Sequence, residues 1–175
     1  MPRILIEDGP GTIHSRMYQQ LRPEYAAADD AMRSAVKNES ILPWRIIEAV
    51  RFRNAVINGC LLCQSARMPG AIAEGFSEPM YAAIDDDAWR TSELFTERER
   101  LAVDYADRFS RNHASIDDEY WGRLHAHFTD AEILDLTFVT GRYLSFGRLT
   151  HVLGLDDSCE LPQPTRENAS ASIGH

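Results

Sequence analysis

The chain has 175 residues, 44% apolar and 26% charged, the size and make-up of one domain that buries a core without disulfide staples. A net charge of −9 and a pI near 5.1 weigh against nucleic-acid binding, which needs clustered Lys and Arg. The N-terminal apolar run stops at Glu7 and Asp8, too short for a signal peptide, and no stretch is apolar over membrane-spanning length. The expected setting is cytoplasmic, without a membrane or nucleic-acid partner.

The predicted elements are nearly all helical. Pro23 to Lys37 places Tyr25, Ala28, Met32 and Val36 at helical intervals. A second helix opens near Pro43, a favoured first-turn residue, and carries Ile46, Ala49, Val50 and Ile57 as a stripe. Asn58-Gly59 is its stop, because both residues tolerate left-handed backbone. A third helix is expected from about Cys60 to Ala73, with Pro69 as a kink or early end and Gly75 closing the segment. "SEPMYAAI" makes two turns. Thr96-x-x-Glu99 is a capping box opening a helix with Leu101, Ala102, Tyr105, Ala106 and Phe109 on one face. "DDEYWGRLHAHF" is a short amphipathic helix, and a second box, Thr129-x-x-Glu132, opens a long helix that ends at Gly154. Residues 156–175 have few large apolar side chains and two prolines, and read as an extended or disordered tail. The fold class is all-α, a single helical domain over residues 1–155.

Chemistry concentrates at Cys60-x-x-Cys63. Three cysteines cannot all pair within one chain, so Cys60 and Cys63 are a redox pair, half of a metal site, or small core residues. Placed after a helix stop, Cys60 begins the next helix, where the dipole stabilises a thiolate. Three-residue spacing brings both sulfurs to one face. Zinc would need two more ligands, and Cys159 in the tail is a poor third. Arg67, four residues after Cys63, shares that face on a continuous helix. Glu48 and Arg67 lie about 16 Å and about 12 Å from Gly59 along antiparallel helices, a depth match that permits an ion pair. The alternative pairs Glu48 with Arg45 or Arg51 at the surface, to little effect. His113, His125, His127 and His151 lie on or beside helices. His125 and His127 face different directions, and His151 belongs to a helix able to pack near the cysteines.

"LPWRIIEAVRFRNAVINGCLLCQSARMPGAIAEGFSE" resembles the core of the alkylhydroperoxidase D-like proteins of the carboxymuconolactone decarboxylase superfamily. The motif is Glu48, twelve residues to Cys60-x-x-Cys63, then a helix ending at Gly75 before Ser77; the likeness covers roughly residues 40–155, and the "MPRI" start also fits. The resemblance implies an all-helical fold assembling as a homo-oligomer, a trimer or hexamer, with no cofactor. It implies a peroxidase that reduces a hydroperoxide at Cys63, resolves through Cys60, uses Glu48 as a relay carboxylate and is recycled by a dithiol protein. Helix-end electrostatics alone favour Cys60 as the more acidic thiol. The family's histidines are replaced by Leu62 and Arg67, and the expectation is that Arg67, oriented by Glu48, holds Cys63 as thiolate. Two other readings are a cofactor-free lactone decarboxylase, with Arg67, Arg142 or Arg148 binding a carboxylate, and a non-catalytic oligomeric or redox-sensing protein.

Overall fold

The computed structural model describes residues 2–156; Cys159 and nearly all of the expected tail lie outside the described residues. Nine α-helices and two single 3-10 turns make up the regular structure of these residues, with no strand. They are α1 Ile13–Leu21, α2 Pro23–Asn38, α3 Trp44–Asn58, α4 Leu61–Ser65, α5 Pro69–Ala73, α6 Glu78–Asp85, α7 Glu97–Arg111, α8 Asp118–His127 and α9 Asp130–Val152. None is long and apolar enough to cross a membrane.

Helix α3 is the axis of the molecule. It packs mainly against α9 and α7, with α4, α5 and α6 also against it, and every residue from Ile46 to Ala55 is buried. One side puts Ile46, Ile47 and Val50 among Leu101, Tyr105, Leu124, Leu136 and Val139. The other puts Ala49 and Phe52 among Phe76, Tyr81, Trp89 and Phe95. Each such fully buried large apolar side chain contributes roughly 1.5–3 kcal/mol. A helix enclosed on all sides must also bury its charged residues, and these are paired. Arg53, 1% exposed, reaches Asp107 at 2.8 Å through Nε, Asp87 at 2.7 Å through Nη2 and the Ile84 carbonyl.

The helix stops fall where turn chemistry puts them. Gly59 ends α3 at φ 65°, and Gly154 follows α9 at the same angle. Both capping boxes form, Thr96 with Glu99 and Thr129 with Glu132. Glu99 also takes the Arg45 guanidinium through both carboxylate oxygens. Burial alone would raise this carboxyl, but Arg45 and the Thr96 backbone N–H hold it below its usual 4.5. A depressed folded-state pKa gives stability that is present above about pH 4.5 and lost as pH falls through the folded value. The urea midpoint should therefore drop between about pH 5 and pH 3, less steeply in Glu99→Gln than in the wild type. Equal slopes in the two proteins would show that Glu99 carries no part of the acid sensitivity.

Two expectations need correction. Residues 13–21 form a helix that the sequence reading does not contain: Thr12 caps it at the Ser15 N–H, while only Ile13 and Met17 are buried, beside Leu155. The helix expected from Cys60 to Ala73 is two short helices. Ala66 is extended at ψ 145°, and so is Met68, as the residue before a proline prefers; Pro69 then opens α5 instead of kinking a continuous helix. Gly70 is required there, since a Cβ would lie 2.7 Å from the Trp44 ring.

Candidate active site

The left-handed Gly59 turns the chain off α3 and delivers Cys60 as the N-cap of α4, where its sulfur accepts the Cys63 N–H at 3.2 Å. Cys60 and Cys63 are joined in a disulfide, with their Cα atoms 5.2 Å apart. The two sulfurs do not share one environment. Cys60 is fully buried, whereas Cys63 is partly exposed.

What fastens this turn to the core is Arg51, one turn beyond Glu48 on α3. Its Nε and Nη2 grip both oxygens of Glu48, the latter at 2.8 Å, while Nη1 donates to the Cys63 carbonyl and Nη2 to the Ala66 carbonyl at 2.9 Å. Glu48 also accepts from the Tyr81 hydroxyl and from the Met68 N–H at 3.3 Å. Burial and the adjacent Glu48 charge push the Tyr81 phenol well above its ordinary range, which keeps it a donor. Glu48 is 0% and Arg51 6% exposed, so the pair is a buried clasp and not the weak surface pair weighed as the alternative.

The expected Glu48–Arg67 pair does not form. With α4 ended at Ser65, Arg67 leaves the face of Cys63 and pairs with Glu78, at 2.8 Å through Nε and 3.0 Å through Nη2. Its Nη1 donates to the Gln64 and Ala66 carbonyls, and its guanidinium lies 3.8 Å over the Tyr81 ring. The hydrogen bond from Arg67 lowers the Glu78 carboxyl in turn. Arg45, the other partner considered for Glu48, is taken by Glu99.

Of the four histidines considered, His151 is placed against the cysteine segment. A Cβ on Gly59 would sit 3.7 Å from its Cε1 and 3.8 Å from its Nε2. Its Nδ1 meets the buried Asp156 carboxylate at 2.9 Å, and Asp156 also accepts the Leu61 N–H at the start of α4. Burial opposes the Asp156 charge, but these hydrogen bonds hold its carboxyl below the ordinary value. His125 and His127 stand against Asp130 and Glu97, and His113 occupies a 3-10 turn. Among the described residues, no three or more His, Cys, Asp or Glu side chains converge as a metal site would require. Sequence reasoning named Arg51 only as a weak surface partner of Glu48 and missed its hold on the cysteine turn. Its signal was the Glu48-x-x-Arg51 spacing, which reads as an ordinary surface pair until α3 is known to be enclosed.

No protein-family model matches the chain. Two uncharacterized proteins resemble part of it, each over 91 residues. The E. coli protein YnjA is 32% identical across 51% of this chain and 48% of its own length. MT2376 of Mycobacterium tuberculosis is 33% identical across 52% and 31%. The match thus spans about half, or a third, of those relatives. Among solved structures, a protein of unknown function from Agrobacterium tumefaciens, suggested to be the antioxidant defence protein AhpD, superposes with a TM-score of 0.66. It is 27% identical and matches 78% of this chain and 92% of that one. An uncharacterized peroxidase-related protein from Silicibacter gives a TM-score of 0.71 at 19% identity, over 87% and 90% of the two chains. The fold is alkylhydroperoxidase D-like. Within the alkylhydroperoxidase D-like fold, the Cys60–Cys63 disulfide sits at the end of the central helix, clasped by Glu48 and Arg51.

Proposed function

We propose that the protein is a thiol-dependent peroxidase working through Cys60 and Cys63. The observation that carries this reading is the disulfide between a fully buried and a partly exposed cysteine. Exposure suits Cys63 to meet a hydroperoxide, and burial suits Cys60 to resolve. The Cys63 thiolate attacks the terminal oxygen; the O–O bond breaks, the alkoxide leaves with a proton as an alcohol, and Cys63 becomes a sulfenic acid. The Cys60 thiol displaces that oxygen as water and forms the disulfide. A dithiol protein then reduces the pair by exchange, two electrons per turnover. The similarity to the Agrobacterium structure, suggested to be an antioxidant defence protein, supports the assignment.

Glu48 and Arg67 enter as positioning residues. Glu48 holds Arg51 on the Cys63 carbonyl, and Arg67, paired with Glu78, holds the Gln64 and Ala66 carbonyls, so the two guanidiniums fix the backbone of the α4 turn that carries Cys63. His151, held by Asp156, is the base standing beside Gly59 on the Cys60 side.

Thiol counting on the reduced protein tests the assignment. One equivalent of hydrogen peroxide should remove two thiols together and return the disulfide, reversibly with a dithiol. Slow loss that is not confined to Cys60 and Cys63 would make the pair a packing feature and end the reading.

A further inference from the structure

Asp156, just beyond α9, belongs neither to the disulfide nor to the Glu48–Arg51 clasp, yet it is fastened to the cysteine turn. Its side chain is 3% exposed, takes the His151 Nδ1–H at 2.9 Å and accepts the N–H of Leu61, the residue after Cys60. Burial opposes its charge, but these donors and its own N–H outweigh that, so the carboxyl is ionised at neutral pH. Covalent lengths and one hydrogen bond then bring a carboxylate oxygen within about 8 Å of the Cys60 sulfur.

Cys60 is fully buried, and burial disfavours a thiolate. Among the described residues its sulfur accepts one hydrogen bond, from the Cys63 N–H at 3.2 Å. From α3, Glu48 and Arg51 neutralise each other and meet the turn at Cys63 instead. Arg67 is taken by Glu78. From α9, the exposed Arg148 donates to Asn58 at 3.2 Å and is screened by water, while His151 is turned to Asp156. The buried charge fastened beside Cys60 is therefore negative. Cys63 lies two residues beyond Leu61 and is partly exposed, so solvent weakens the same charge there.

We propose that the Asp156 carboxylate keeps Cys60 a protonated thiol and so leaves Cys63 as the attacking one. This rests on the peroxidase reading, and it reverses the preference that helix-end electrostatics alone give. It also suits the resolving step. The Cys60 sulfur attacks the sulfenic sulfur of Cys63, an S–S bond forms, the S–O bond breaks, and the thiol proton leaves with the oxygen as water. Asp156 touches no reacting atom and acts through Cys60, as a positioning residue.

An NMR titration of the fully reduced chain, isotope-labelled at cysteine Cβ, tests this, with Cys60→Ser and Cys63→Ser assigning the resonances. Cys63 should ionise first, with Cys60 at least about one pH unit above it. Asp156→Asn keeps the volume and an acceptor for Leu61 but removes the charge. It should lower Cys60 by about one unit and Cys63 by less. Should that variant unfold, Leu61→Pro removes the N–H that draws the carboxylate in. Leu61 is exposed at the first position of α4 and follows an extended residue, where proline fits. This variant should also lower Cys60, by at least about half a unit. Cys60 ionising first in the wild type, or unchanged in either folded variant, would overturn the proposal. So would a less acidic Cys60 in Asp156→Asn, which would make Asp156 the orienting acid of a His151 base. The titration uses no peroxide, so it can fail while thiol counting upholds the peroxidase reading, and the reverse.

Discussion

Cys63→Ser is expected to lower peroxide turnover by at least about a thousandfold, the scale seen when a covalent nucleophile is removed. A serine hydroxyl at this position cannot reach the anionic form that attacks an O–O bond at neutral pH. Cys60→Ser has a different expected outcome. Cys63 remains partly exposed and still reacts once, but the sulfenic acid finds no resolving thiol, so it should be trapped by a dimedone-type reagent or by an added thiol. Mass spectrometry of both variants after one equivalent of peroxide reads the difference directly. A sulfenic acid on Cys60 in Cys63→Ser, with none on Cys63 in Cys60→Ser, would reverse the two roles. It would also favour the thiol that helix-end electrostatics selects.

Glu48→Ala is expected to cost about 3–5 kcal/mol of unfolding free energy, the penalty for leaving a buried charge without its partner. For a chain of this length that is a fall in Tm of roughly 6–20 °C. Arg51 is 6% exposed and would lose its two hydrogen bonds to Glu48, while the Tyr81 hydroxyl and the Met68 N–H would lose their acceptor. Glu48→Gln keeps an acceptor oxygen and the volume, so its loss should be smaller. The Cys63–Met68 link should loosen with Arg51, seen as faster amide exchange there than on α7. A change below about 1 kcal/mol in Glu48→Ala would place this clasp with ordinary surface pairs.

Elements whose ends carry their own chemistry were legible in the sequence. Thr96, Thr129 and Gly59 each satisfy or terminate a helix by local hydrogen bonds or backbone freedom, and the structure places all three as read. Helix α1 was not legible because it presents only Ile13 and Met17 to the core, too few for a periodic stripe. The division between α4 and α5 is a tertiary matter: the extended Ala66 and Met68 present a carbonyl to Arg51 and an N–H to Glu48, partners 15 and 20 residues away. That division also redirected Arg67 to Glu78, which spacing on one continuous helix could not show. Arg51 was hidden for a related reason. A Glu-x-x-Arg step looks the same on a solvated face as on a helix enclosed by α7 and α9, and only packing distinguishes them.

The clasp on the disulfide turn grips main-chain oxygens, those of Cys63 and Ala66, and no side chain between them. Its hold is therefore indifferent to what stands at positions 62, 64 and 65, and those residues are free to change without unfastening the turn. A proline would be the exception, through its effect on backbone geometry. A search for other centres built this way should look upstream of the cysteines, for an acid and an arginine three residues apart and each twelve residues ahead of its cysteine.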